Sequence, residues 1–208
     1  MITINVEQGS IEWFAARLGR PTGSVFSAVL AKGKGVTRGN LIVKLALEIA
    51  NGKQAAATFQ KSGPMLDGTE REPFARALYE SSRGIFVDEV GFCQHDTIFT
   101  GVSPDGLIDA DGMVEIKCPT EAVHREYMLR TDEPPAYRSQ IQGQLWVTGR
   151  AWCDFVSYHP EFPANAQLIV RRVLRDEEYI TNLETEVIKF NAEVEAEVES
   201  IRNYKEAA

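Results

Sequence analysis

Histidine and cysteine are scarce in this 208-residue chain, with three of each. Cys93, Cys118 and Cys153 are odd in number and form no Cys-x-x-Cys pair. That argues against a disulfide framework and for a reducing, cytosolic compartment. His95, His124 and His159 share no ligand spacing, so no zinc site is expected and no role falls to them. No run of about 18 apolar residues occurs, which excludes an ordinary membrane-spanning helix. No early apolar run follows a charged start, so no signal peptide is expected. Ser/Gly linkers, low-complexity tracts and internal repeats are also missing. The expectation is a single domain over residues 1–208, long enough to bury a core without staples.

Positive charge is also in deficit. The net charge is -8, which at first sight speaks against a nucleic-acid partner. Its distribution matters more than its sum. From Arg17 to Lys44 there are six basic residues (Arg17, Arg20, Lys32, Lys34, Arg38, Lys44) and no acidic one. From Asp176 onward there are ten acids and three bases, so this last segment carries -7 of the total. The rest of the chain is close to neutral with a basic stretch near its front, and DNA stays admissible. The acidic segment has two readings: a solvated outer face on a helix that caps the core, or a surface that keeps DNA off the wrong side.

Hydrophobic periodicity predicts helices over 10–19 (stripe Ile11, Phe14, Ala15, Leu18), 25–31 after the Thr22-Gly23-Ser24 break, 38–50, 69–82 (Phe74, Ala77, Leu78), 120–130, 136–148 and 176–204. The last has apolar residues at Ile180, Leu183, Val187, Phe190, Val194, Val198 and Ile201, one continuous face. Lys32-Gly33-Lys34-Gly35 reads as a loop. Short β-rich runs over 85–90, 97–102, 107–108, 113–116, 152–158 and 167–174 predict strands, with Asp111-Gly112 as a turn. Helices, then a strand cluster, then helix, strands and helix give an α/β fold around a mixed sheet.

The chemistry concentrates in Ser103-Pro104-Asp105-Gly106 and Val114-Glu115-Ile116-Lys117-Cys118-Pro119. Strand alternation puts Glu115 and Lys117 on one face and Val114 and Ile116 on the other. A hairpin closing over 109–112 sets residues near Asp105 opposite residues near Glu115. Two converging carboxylates repel each other, and an all-oxygen donor set suits Mg²⁺, or Mn²⁺ in its place, as the ion that resolves the conflict. With Lys117 beside them, the three side chains suit phosphodiester hydrolysis. Each piece taken alone is also compatible with a solvated strand face carrying a weak ion pair.

These residues resemble the PD-(D/E)xK nuclease superfamily, and within it the phage lambda exonuclease and YqaJ-type alkaline exonuclease family. Four blocks carry the resemblance in order: Glu7 to Trp13 continuing through Ala16-Arg17-Leu18-Gly19 and Thr22-Gly23-Ser24; Gly68 to Pro73; the Asp105 and Glu115 segments; and Tyr137 to Gln142 with Leu145 to Thr148. The resemblance implies a restriction-endonuclease-like core, a central mixed β-sheet flanked by helices. It further implies a Mg²⁺-dependent 5′-to-3′ exonuclease, phage- or prophage-encoded and acting in the host cytoplasm. Such an enzyme degrades one strand of double-stranded DNA, leaving a 3′ overhang for a single-strand annealing protein, and assembles as a homotrimer ring. By the same resemblance Asp105, Glu115 and the Ile116 carbonyl would hold the metal and Lys117 would be the catalytic lysine. Glu72 would hold a metal-bound water, with Glu70 its rival. Gln140 would contact the water or phosphate, with Gln142 and Gln144 as rivals. Arg17 would bind a 5′-phosphate, helped by Ser24 and Ser103, and Trp13 would lie beside it at the DNA. A structure-specific endonuclease, or a binding module without chemistry, are the competing readings.

Overall fold

A four-stranded mixed sheet forms the centre of the computed structural model, which describes residues 1–31, 36–54 and 63–205. The expected Lys32 to Gly35 loop lies outside the described residues. In chain order the elements are β1 (Ile2–Ile4), α1 (Ile11–Ala16), a 3-10 turn (Gly23–Val25), α2 (Phe26–Val29), α3 (Val36–Asn51) and α4 (Gly63–Arg83). They continue with β2 (Phe92–Gln94), β3 (Gly101–Val102), β4 (Gly106–Ile108), β5 (Gly112–Lys117), α5 (Glu121–Met128) and α6 (Pro135–Thr148). Strands β6 (Trp152–Tyr158) and β7 (Leu168–Leu174) and helix α7 (Glu177–Arg202) complete the order.

The main sheet runs β4-β5-β6-β7, antiparallel except for the parallel β5–β6 pair. A parallel pair needs a crossover, and α5 and α6 supply it. Helix α6 begins with Pro135 at its first turn and stops at Gly149, whose φ of 71° suits the left-handed cap. Gly143 lets α6 lie on Phe26: a Cβ there would sit 2.2 Å from the Phe26 ring. A second sheet, β1-β2-β3, is antiparallel throughout.

Side chains alternate across β5, so the sheet has two buried faces. Met113, Cys153, Phe155 and Val173 pack with Ile141, Leu145, Leu183 and Phe190. Val114, Ile116 and Val156 pack with Ala75 and Tyr79 of α4. Asp176 caps α7 by accepting from the Tyr179 N–H at 3.0 Å. The apolar face read from the α7 sequence is the buried face, with Ile180, Leu183, Val187, Phe190, Val194 and Val198 inside and Ile201 partly so. Glu177, Glu178, Glu193, Glu195 and Glu199 stand outside.

Four sequence expectations are corrected. Residues 85–90 make a single bridge, Asp88 to Leu107, rather than a strand. The 97–102 strand shrinks to Gly101–Val102, because the His95 Nδ1 accepts from the Thr97 and Ile98 N–H groups and folds the preceding residues into a bend. The α1 stripe faces outward, with Ile11 83% and Phe14 41% exposed, while Trp13 and Arg17 turn inward. In α4, Phe74, Ala77 and Leu78 are exposed; Ala75 and Tyr79 face the sheet, where the Tyr79 hydroxyl donates to the buried Asp154 at 2.7 Å. Strands β1 and β2 were not legible at all.

Candidate active site

The β4–β5 register pairs Gly106 with Val114, so one further step brings Asp105 level with Glu115. The hairpin is braced from outside: the Arg150 guanidinium donates to the carbonyls of Ile108 (3.1 Å), Asp109 (2.9 Å) and Gly112 (2.6 Å). At its open end the Ile116 N–H donates to Asp105 Oδ2 at 2.6 Å. That bond holds the Asp105 carboxylate against the backbone between Glu115 and Lys117.

Glu115 is 1% exposed, and its charge is met on both oxygens. Lys117 Nζ and Gln140 Nε2, the latter at 2.5 Å, donate to Oε1, and Gln144 Nε2 donates to Oε2 at 2.7 Å. Lys117 also lies 5.4 Å from the centre of the Tyr137 ring. Tyr137, Gln140 and Gln144 occupy one face of α6, so this helix seats the whole Glu115–Lys117 face of β5. The Gln142 side chain points elsewhere, donating to the Leu174 carbonyl and accepting from the Asp176 N–H, each at 2.9 Å. Gln142 therefore ties α6 to the β7–α7 junction.

Glu72 reaches the site from α4. It is partly buried and accepts from Arg76 at 3.0 Å, and Arg76 is itself paired with Glu89. Glu70, its rival, is exposed. Burial, then repulsion from Glu115, raises the Asp105 pKa well above the ordinary carboxylate range, against the pull of Lys117. Burial raises the pKa of Glu72 as well, partly offset by Arg76 and Lys117. For Lys117 burial pulls the other way, but the Glu115 and Asp105 carboxylates outweigh it and hold the amine charged. The cluster has more negative charge than Lys117 balances.

Such a surplus suits a hard divalent cation, which would offset it with oxygen donors. Among the described residues no three His, Cys, Asp or Glu side chains converge to hold a metal unaided. Asp105 and Glu115 could supply two side-chain donors, to which a backbone carbonyl and waters would be added. An Mg²⁺ shell retains several waters, so the donor set fits.

A second cluster adjoins the first through Ser103-Pro104-Asp105. The Ser103 hydroxyl accepts from Trp13 Nε1 at 2.9 Å and from the Arg17 guanidinium at 3.5 Å. Arg17 also donates to the Thr22 hydroxyl at 3.0 Å and lies 3.9 Å over the Trp13 ring. Burial lowers the Arg17 pKa to about 10, while the nearby Glu48 charge works in the opposite direction. Glu48 Oε2 is taken by the Gly19 N–H at 3.1 Å, and among the described residues no carboxylate pairs with Arg17. Trp13, Arg17 and Ser103 are thus brought together. Ser24 is exposed and outside this hydrogen-bonded group, and Thr22, not singled out from sequence, is the hydroxyl of that turn that meets Arg17. Gly23 connects the two clusters, packing near the stems of Gln140 and Gln144.

Two comparisons bear on this arrangement. Residues 12–151 match the model of the YqaJ-like viral recombinase domain. The chain belongs to the YqaJ-like viral recombinase family. The fold agrees: an alkaline exonuclease (LHK-Exo) from Laribacter hongkongensis superposes with a TM-score of 0.86 at 42% identity, over 93% of this chain and 96% of that one. The same figures hold for LHK-Exo in complex with dAMP. A phage-related exonuclease from Haemophilus somnus 129PT shares the fold at 15% identity, with a TM-score of 0.68 over 88% of this chain and 96% of that one. No match was found among curated protein sequences. All the clustered residues, from Trp13 to Gln144, lie within the matched family segment. Gln144, named from sequence only as a rival of Gln140, joins it on Glu115; Arg76 was missed as a participant, although i, i+4 spacing from Glu72 is its signal.

Proposed function

We propose that the chain is a Mg²⁺-dependent exonuclease that degrades one strand of linear duplex DNA from a 5′-phosphorylated end. Family membership and the 42% identical alkaline exonuclease identify a nuclease acting on DNA. The observation that carries the finer reading is the pairing of two opposite charge imbalances. A carboxylate cluster short of positive charge adjoins, through residues 103–105, a buried guanidinium short of negative charge. A terminal phosphate in the second would bring the next phosphodiester to the first.

In this reading Asp105, Glu115 and the Ile116 carbonyl hold the ion. A bound divalent cation supplies Lewis acidity and a water of lowered pKa. Lys117, held charged, stabilises negative charge on the phosphate as it becomes pentavalent. Gln140, partly exposed, is able to contact the attacking water or a phosphate oxygen. Glu72, fixed by Arg76, accepts a proton or a water hydrogen bond at the rim. Arg17 presents a planar fork to the doubly charged terminal phosphate, with Ser103 and Thr22 aligning it and Trp13 stacked beneath. Ser24, exposed on the adjoining turn, is free to reach the same phosphate from solvent.

The 3′ overhang so produced suits a single-strand annealing protein, and a homotrimer ring would retain the DNA between turnovers. The outward apolar side chains of α1 and α4, Ile11 and Phe74 among them, favour subunit contacts. Light scattering on DNA-free protein is expected to give three times the 23.2 kDa chain mass. The decisive test compares 5′-phosphorylated linear, 5′-hydroxyl linear and covalently closed circular duplex in Mg²⁺. Rapid loss of the first, slower loss of the second and persistence of the third are expected. Cutting of closed circles at a comparable rate would mark an endonuclease and overturn the proposal.

A further inference from the structure

We propose that Gln144 is a positioning residue for Glu115: with Gln140 it forms an amide clamp that fixes the carboxylate and so sets divalent-ion affinity. This rests on the reading of Glu115 as a metal ligand. The division of donors is the first argument. Lys117 and Gln140 both address Oε1, whereas among the described residues Oε2 receives its hydrogen bond from Gln144, at 2.7 Å. Rotation of the carboxylate about its last bond is therefore opposed by Gln144.

The second argument is the cost of the residue. An ionised carboxylate only accepts, so the Gln144 amide must turn its nitrogen toward Glu115. That leaves Gln144 Oε1 buried and without a partner among the described residues. An unpaired buried acceptor destabilises a fold, and an apolar side chain of equal length would avoid the penalty. Packing alone does not account for a glutamine there; its N–H donation to Glu115 does.

Burial separates the two glutamines by role. Gln144 is 1% exposed and has no path to DNA, so it acts only through Glu115. Gln140 is partly exposed and is free to contact a substrate as well. The clamp is stiff because α6 has little freedom to turn. Gly143 lies on the Phe26 ring, Leu145 is fully buried, and the Thr148 hydroxyl donates to the Gln144 carbonyl at 2.7 Å.

The test uses DNA-free full chain and titrates Mn²⁺ by electron paramagnetic resonance and calorimetry. Gln144→Met keeps the length and apolar packing and removes the donors. It is expected to weaken Mn²⁺ binding about 10- to 100-fold, the usual range for partners of metal ligands. The Mg²⁺ concentration for half-maximal cleavage should rise in step, with KM for DNA unchanged. Unaltered Mn²⁺ affinity in Gln144→Met, against tight binding by wild type, overturns the clamp alone. Equal Mn²⁺ binding by wild type and Glu115→Gln overturns Glu115 as a ligand, and the clamp with it. Should Gln144→Met not fold, Gln144→Asn, which keeps the amide but withdraws it by one methylene, takes its place. Loss in the same direction is expected, and unchanged affinity overturns the proposal.

Discussion

The two pockets at the ends of the Ser103–Asp105 segment differ in sign and in how each is kept unbalanced. Around Asp105 and Glu115 two buried carboxylates face one lysine, with Glu72 tied to Arg76 beside them, and the cost shows as raised pKa values on Asp105 and Glu72. Around Arg17 one guanidinium is buried among hydroxyls and an indole, and the cost shows as a lowered pKa. A protein optimised for stability alone would move an acid from the first to the second. In the proposed function each imbalance leaves room for a ligand of opposite charge, a cation in one and a phosphate in the other.

Breaking the first pocket should have the largest effect. Asp105→Asn or Glu115→Gln is expected to lower single-turnover cleavage on the order of 10⁴-fold, with DNA retained in a gel-shift assay. Loss of DNA binding in step with cleavage would assign these carboxylates to folding instead. Next, Lys117→Met removes only the charge-stabilising group, and kcat should fall roughly 10²- to 10³-fold. Activity near wild type would remove the lysine from the mechanism.

Breaking the second pocket should change preference more than rate. Arg17→Ala is expected to shrink the advantage of 5′-phosphorylated over 5′-hydroxyl duplex by about tenfold, from the loss of charge-assisted hydrogen bonds. Cleavage of 5′-hydroxyl duplex should change little. Equal losses on both substrates would place Arg17 in general DNA binding. The smallest effect belongs to Ser103→Ala, which leaves both charges in place and loosens Arg17 and Trp13. A few-fold reduction in the same preference is expected, from the loss of roughly 1 kcal/mol in hydrogen bonding. An effect as large as that of Arg17→Ala would show that the hydroxyl touches the phosphate itself.

Helices α7 and α1 show why some of this was legible and some not. Helix α7 runs from Glu177 to Arg202 across the core, so burial selects its apolar residues and their spacing reveals the buried face. Helix α1 has six residues, and Trp13 on its inward side and Arg17 at its C-cap serve the second pocket. Its apolar stripe was therefore read backwards. Helix α4 misled for a related reason: it meets the sheet through Ala75 and Tyr79, leaving Phe74 outside. Where a helix serves a site, polarity marks the inside and the usual inference reverses. Thr22 was overlooked in the same way, since which hydroxyl of that turn meets Arg17 depends on how the turn packs.

The sequence by itself determined the alternation that puts Glu115 and Lys117 on one strand face, the hairpin that brings Asp105 level with them, and the long core-covering face of α7. These follow from local periods of two and of 3.6 residues, which any stretch of chain carries within itself. Only the tertiary structure decided that α6 lays two amides on Glu115, that Arg17 is buried with no carboxylate bonded to it among the described residues, and that the two pockets adjoin. Those facts depend on contacts between residues far apart in the chain, such as Gln144 with Glu115 and Arg17 with Ser103. Burial and the pairing of charge are properties of such contacts, and no local period encodes them.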